Sequence, residues 1–372
     1  MKQLGPGQTR KTRLYAQRLH PGIARSVSSV AQLVDALCGI QSQELPSATL
    51  AVRPRSNGLT AGDVQYAREV ERSIVLTWCM RGTLHLVATQ DLGWLLRFFG
   101  PLYIRKGQRR YRQLGLSSVI LARSIEEIRE ILGRRGLLTR PELAEALAAK
   151  GIPVQGQAIA HLVAHAALQG VICFGPELEG VLTYVLLEDW VKTGEKLDGE
   201  KALAELVRRY LGAYGPATPA DFAGWAGISM GQARSGFEAI SEDLLEVRFP
   251  ESAAWMLKQN QVWLEMLSEN PVLHLLPRFD NYLLGYQSRD FMVPDRYAKQ
   301  VHPGGGMLKA TVILDGLAVG NWKVERKKSR ATAVIQPFEP LPAEALPLLE
   351  TEAQDLGRFL EEDMGLRIEQ IE

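Results

Sequence analysis

Apolar residues recur at helical spacing over residues 157–169, where Ile159, Leu162, Val163, Ala166 and Ala167 fall on one face. Just upstream, Thr139-x-x-Glu142 is a capping box that opens a helix over residues 140–150, and Gly151 suits the C′ position. After Gly170 the pattern changes to two strand-like runs, 171–174 and 181–187, joined by a Gly175-Pro176-Glu177-Leu178-Glu179-Gly180 loop with hairpin chemistry. Helix, turn, helix and a two-stranded wing together predict a winged-helix module.

The order then repeats. Residues 201–214 form an amphipathic helix, and Thr218-Pro219-Ala220-Asp221 opens another with proline at its first position. Ser229-x-x-Gln232 caps a third, and strand-like runs follow at 244–249 and 254–257. The fragment Thr139-x-x-Glu142-Leu143-Ala144 is echoed by Thr218-x-x-Asp221-Phe222-Ala223, and Gly156-Gln157-Ala158 by Gly231-Gln232-Ala233. A weaker copy lies near the N-terminus. There Val27, Val30, Val34, Leu37 and Cys38 share a helix face, Thr60-x-x-Asp63 opens a helix, and runs 74–80 and 83–87 form a hairpin across Arg81-Gly82. From about residue 271 the chain turns β-rich, with Asp315-Gly316 a strong hairpin turn between 311–314 and 318–324. Gly304-Gly305-Gly306 reads as a flexible loop without the Lys-Ser/Thr pair of a phosphate-binding P-loop. The expected fold is α+β and mainly helical: three tandem winged-helix modules with a C-terminal β-rich extension and hairpin. Their boundaries fall at 1–120, 121–197 and 198–372, which agrees with two or three domains for 372 residues.

Composition adds limits. With 46% apolar and 23% charged residues the chain can build sizeable cores. Three well-separated cysteines in apolar runs suit reduced, packed thiols rather than a disulfide framework or a zinc site. No run approaches a membrane span or a signal peptide, so a cytoplasmic protein is expected. The formal net charge is only +1, so affinity for a polyanion must come from uneven placement. Placement is uneven. Lys2, Arg10, Lys11, Arg13, Arg18 and Arg25 precede the first acid, and Arg97, Arg105, Lys106, Arg109, Arg110 and Arg112 interleave with aromatics. Residues 323–330 carry five basic side chains against Glu325. Together the blocks suggest a phosphate-binding face, although any one alone reads as an ordinary solvated surface.

Candidate chemistry is sparse. His161 and His165 stand at i and i+4 but lack a third ligand, so a structural role is favoured and no metal or other cofactor is expected. No serine nucleophile elbow occurs. The unusual element is Gly39-Ile40-Gln41-Ser42-Gln43-Glu44-Leu45-Pro46, where the first long helix should stop. On extended backbone Gln41 and Gln43 share a face, and two amides there could orient a water. On spacing alone, two solvated glutamines at a helix end remain the stronger reading.

Residues 37–53, LCGIQSQELPSATLAVR, resemble the Gln-x-Gln motif of the AlkZ/YcaQ family of winged-helix DNA glycosylases. TWCMRGTLHLV at 77–87, LLPRFDNYLLGYQSR at 275–289 and LDGLAVGNWKVER at 314–326 are similar to further family segments, in the same order. The Gln-x-Gln form matches the AlkZ-like branch, although the middle residue, usually aliphatic, is Ser42 here. The resemblance implies a monofunctional glycosylase acting on double-stranded DNA with alkylated purines, N7 or N3 adducts and cross-links included. It implies a monomer, nucleoid-associated in a bacterial cytoplasm. Gln41 and Gln43 would be the catalytic pair. Arg53, Arg55, Arg81, His85, Arg105 and Arg109 are expected DNA contacts, with Lys323, Arg326 and Lys327 of a hairpin at residues 315–328 on phosphates. For His85, which alternation places on one strand face with Thr83 and Val87, a packed position in the first wing is an equal alternative. The competing reading is a non-catalytic winged-helix DNA-binding protein such as a transcription regulator, which leaves the Gln-x-Gln segment unexplained.

Overall fold

The computed structural model describes residues 2–24, 26–194, 197–250, 252–266, 270–327 and 330–370. Arg25 of the first basic block and Lys328 of the third lie outside that set. Contacts divide the chain into two compact units, residues 65–202 and the joined segments 1–64 and 203–372. No helix among the described residues is long and apolar enough to cross a membrane. The fold is mixed α+β.

In the discontinuous unit, strands Leu273–Leu276, Thr311–Leu314, Leu317–Lys327, Arg330–Pro337 and Met364–Ile368 form a sheet in chain order. Neighbours are antiparallel except the last pair, which is parallel because helix Ala345–Leu360 crosses between them. Alternate strand residues Leu273, Leu275, Ala333 and Ile335 meet Ala345, Leu349, Ala353 and Leu356 of that helix. Period two on the strands and near four on the helix bring both apolar faces into one core. Asp315-Gly316 makes the turn its sequence demands, both residues having positive φ. The basic residues sit elsewhere, however. The strand continues to Lys327, which pairs with Arg330 of the next strand, so this cluster lies at the far end of the strand from that turn.

The same unit holds helices Pro219–Ala226 and Met230–Ala239, both with the capping boxes read above. Gly227 ends the first in the left-handed region. Strands Leu244–Arg248 and Ala253–Leu257 follow, and Lys2–Gln3 joins them parallel to the first.

In the continuous unit the Thr139–Glu142 box opens Arg140–Ala149, and helix Ala158–Leu168 leads into hairpin Ile172–Leu178 and Val181–Leu186. Leu138–Thr139 adds a third strand, an order compatible with a winged helix. The expected six-residue loop is shorter than read: the first strand runs on to Leu178 through a register shift between Phe174 and Glu177. That irregularity is where Pro176 is tolerated. Sequence reading missed the helices Thr89–Gln113 and Ser118–Arg135. Pro101 lies inside the former, and Gly100 beside it has no room for a Cβ, which would stand 2.2 Å from the Leu168 carbonyl oxygen. A Gly-Pro pair here marks close packing, not a helix end.

Two buried arginines on the turn Arg53–Arg55 tie the discontinuous unit together. Arg53 reaches Glu352 at 2.6 Å and Asp355 at 2.9 Å, both on the long helix. Burial alone would raise the Glu352 pKa, but Arg53 and His274 outweigh it and hold the carboxyl well below the usual carboxylate range. Stability from Glu352 is therefore present above the unfolded pKa of about 4.3 and lost as pH falls below it. Glu352→Gln should cost about 3 kcal/mol at pH 7, because Arg53 loses its main counter-charge. Urea unfolding of the variant should also show a shallower decline between pH 5 and 3 than the parent; equal slopes would refute the assignment.

Candidate active site

Helix Val30–Ala36 begins on the Ser29 hydroxyl and buries Val30, Leu33 and Val34. It stops because Cys38 and Gly39 both take positive φ, 53° and 98°, with the Gly39 N–H donating back to the Val34 carbonyl. The chain then runs extended through Ile40–Gln41 and re-enters a helix at Leu45–Leu50, whose first turn holds Pro46. Burial alternates along this connection. Ile40 and Ser42 are each 1% exposed, Gln41 is half-buried and Gln43 is exposed. The two glutamines thus occupy the outward positions of one short stretch. Ser42 sits inward, where its hydroxyl donates to the Ile40 carbonyl at 3.0 Å, so a polar residue is satisfied in a buried place.

Residues far along the chain hold this stretch. Asn281, 4% exposed, accepts the Gln41 N–H at 3.3 Å and donates to the Gly39 carbonyl at 2.8 Å. Its amide nitrogen also donates to the Tyr214 hydroxyl at 3.0 Å. Asp280, one residue earlier, caps the short helix Asn281–Leu284 and takes a bidentate ion pair from Arg55 at 2.7 and 2.8 Å. Glu44, beside Gln43, pairs with Arg278 at 3.0 Å and accepts the Ser47 hydroxyl at 3.1 Å. Asn281, Tyr214, Arg278 and Glu44 were not singled out from sequence. Three of the four lie in or beside segments already quoted, but which side chain turned inward required the fold.

The expected DNA contacts divide sharply. Arg53 and Arg55 are corrected: at 1% and 0% exposure, with their charges spent on Glu352, Asp355 and Asp280, they are interior ion pairs. For His85 the structure takes the packed alternative. It is 2% exposed on strand Leu84–Ala88, its Nδ1 is 3.1 Å from the Thr83 carbonyl, and burial, then the Arg81 charge, pushes its pKa down to about 3. A neutral, buried imidazole offers a phosphate nothing. Arg81 is half-buried with a left-handed backbone. Arg105 and Arg109 are exposed on successive turns of helix Thr89–Gln113. Lys323, Arg326 and Lys327 are exposed, although Lys323 pairs with Glu325 at 2.9 Å and Arg326 with Glu362 at 3.2 Å.

His161 and His165 pack edge-on against Tyr111, and His165 contacts Gln169 at 2.9 Å. Among the described residues no group of three or more His, Cys, Asp and Glu is placed to hold a metal ion. Cys38, Cys79 and Cys173 are buried thiols outside any disulfide.

Comparison with known proteins places these features. The model of the "DNA glycosylase AlkZ-like" family matches residues 34–359. An interstrand DNA cross-link repair glycosylase of Streptomyces sahachiroi is 30% identical over 367 residues, 93% of this chain and 94% of that protein. The solved structure of the DNA glycosylase AlkZ from Streptomyces sahachiroi is similar with a TM-score of 0.84 at 26% identity. The likeness covers 99% of this chain and 100% of that one.

The His85 environment has a measurable consequence. The ring stays neutral in the folded protein to about pH 3 but charges near 6.5 when unfolded. The unfolded state therefore binds more protons below 6.5, and stability falls by up to about 1.4 kcal/mol per pH unit as pH drops from there. His85→Gln should flatten the stability profile between pH 6.5 and 4 in denaturant titrations while leaving the salt dependence of DNA binding unchanged. An altered salt dependence would return His85 to the DNA interface.

Proposed function

The chain belongs to the AlkZ-like family of DNA glycosylases, and from that premise we propose that it removes N7- and N3-alkylated purines from double-stranded DNA by hydrolysis. The observation that carries the catalytic assignment is the outward pair Gln41 and Gln43 on a stretch whose backbone is tied down from behind. In the proposed reaction the C1′–N bond breaks with its electron pair going to the base. The N7-alkylated guanine already carries a positive charge, so it leaves without a strong general acid. Sugar cation character then develops, as in glycoside hydrolysis. Water adds to C1′ and its proton passes to solvent. A carboxamide cannot take that proton at neutral pH. Its part is to hold the water and contact the deoxyribose.

An interstrand cross-link through N7 or N3 leaves the same C1′–N9 bond to be broken, with a bulkier substituent on the departing base, and the Streptomyces sahachiroi relative carries that activity in its name. We extend the proposal to such adducts. The protein is proposed to work as a monomer in the cytoplasm, at the nucleoid, without a metal or cofactor. The three-module partition at 1–120, 121–197 and 198–372 is kept as the working division, supported by the repeated capping boxes and hairpins. Exposed Arg105, Arg109, Lys323, Arg326 and Lys327, with half-buried Arg81, remain proposed phosphate contacts. Such contacts position a duplex without reading its sequence.

Single-turnover release of 7-methylguanine tests the assignment. Gln41→Ala and Gln43→Ala should each slow excision by about 10² to 10³, the usual worth of one preorganised polar group. Melting should shift by no more than about 0.5 kcal/mol. The double variant should lose less than the product of the two, since groups sharing one water act as a unit. Full activity in both single variants would remove the catalytic role.

Binding should weaken steeply with salt. Lys327→Ala should reduce the slope of log affinity against log salt by about 0.9. Lys323→Ala and Arg326→Ala should reduce it less, because each must first give up Glu325 or Glu362 to reach a phosphate. Three equal reductions would show that those ion pairs play no part in binding.

A further inference from the structure

The glutamine stretch has its backbone bonded to a side chain where a neighbouring strand would ordinarily lie. In an extended chain the carbonyl of one residue and the N–H two residues on point to the same side. Gly39 and Gln41 present such a pair, and Asn281 meets both with the two ends of one carboxamide, 2.8 Å to the carbonyl and 3.3 Å to the N–H. Because one partner accepts and the other donates, only one orientation of the amide satisfies both. The second N–H of the same amide is used on the Tyr214 hydroxyl, which fixes that orientation from a third direction. Tyr214 is itself held, its ring stacked on Tyr210 at 15° and its carbonyl accepting the Tyr286 hydroxyl at 3.0 Å. Asn281 opens a helix whose cap, Asp280, is locked to Arg55.

We infer that Asn281 is a positioning residue for the glycosylase reaction: it sets the backbone between residues 39 and 41 and through it the aim of Gln41 and Gln43. The inference rests on the catalytic reading of that pair. An amide that only orients water must stand in the right place to contribute, and a displacement near 1 Å can cost about a hundredfold in rate. Asn281 touches neither base nor sugar in this account and acts only through the glutamines.

The test is single-turnover excision of 7-methylguanine at saturating enzyme, beside duplex Kd and melting, for Asn281→Asp, Asn281→Ala and Tyr214→Phe. Asn281→Asp keeps an acceptor for the Gln41 N–H but turns a carboxylate oxygen on the Gly39 carbonyl. Both Asn281 variants should slow excision about 10- to 100-fold with Kd within about twofold of the parent. The decisive arm repeats them in the Gln41→Ala background. A positioning role predicts little further loss there, whereas a merely structural role predicts the same factor in both backgrounds. Equal factors, or an unchanged rate in the parent background, overturn the inference. Leu349→Ala, in the sheet–helix core, serves as the destabilised control and should keep its rate below its melting temperature. If both Asn281 variants melt below the assay temperature, Tyr214→Phe decides: a several-fold slower rate that vanishes beside Gln41→Ala supports the inference, and an unchanged rate ends it. Full activity of Gln41→Ala itself removes the catalytic reading and this inference with it. Slow Gln41→Ala with fully active Asn281 variants removes this inference alone.

Discussion

A guanidinium with no exposure to water must find a partner for its charge and for every N–H, and Arg55 does both. Its two terminal nitrogens grip Asp280, while the remaining bonds go to the Gln17 carbonyl and side chain and to the Ala51 carbonyl. Five donors meet five acceptors from three separate stretches of chain. Desolvating such a pair offsets much of its attraction, so its value lies less in net stability than in fixing which segments meet and in what register. From Asp280 the constraint passes to the cap of a four-residue helix, to Asn281, and to the backbone of the glutamine stretch. The candidate chemistry therefore depends on a charge pair that no substrate touches.

The same pair shows why part of the site was illegible in sequence. Arg53 and Arg55 flank a proline just after the glutamine motif in a protein expected to bind DNA, and on composition they belong with the other surface cations. Their acidic partners lie more than 200 residues away, at 280, 352 and 355. Neither periodicity nor spacing carries information about a contact at that range. His85 was left open for a related reason. Alternation put it on one face of a strand, but a two-residue period does not say which face is buried.

What was legible was local. The capping boxes at Thr139, Thr218 and Ser229 formed as written, because a box closes within four residues and needs nothing from the rest of the fold. The Asp315-Gly316 turn likewise followed from positive φ at both residues. Helix Thr89–Gln113 carries Gly100-Pro101 within it, a pair that ordinarily ends a helix, and the proximity of the Leu168 carbonyl explains the glycine. The compact units were also beyond reach. One of them joins residues 1–64 to 203–372, and a linear division into modules cannot express a unit built from two distant segments.

The glutamine pair falls between these cases, and its chemistry explains why. The extended reading of the stretch needed only Pro46 and the end of a helix, and the burial alternation of Ile40 through Gln43 agrees with it. Usefulness is a different matter. A carboxylate or an imidazole can contribute by its proton affinity even when placed loosely, but a neutral amide has no proton to trade at pH 7. All that Gln41 and Gln43 can supply is direction and dipole, and both decay with small errors of position. A reaction whose leaving group is already charged can be served by such weak groups only if the backbone beneath them does not move. The left-handed pair Cys38–Gly39, the inward Ser42 hydroxyl and the Asn281 carboxamide each remove one freedom from that backbone. Rigid surroundings and unreactive side chains are here two halves of one arrangement, and neither would serve the chemistry without the other.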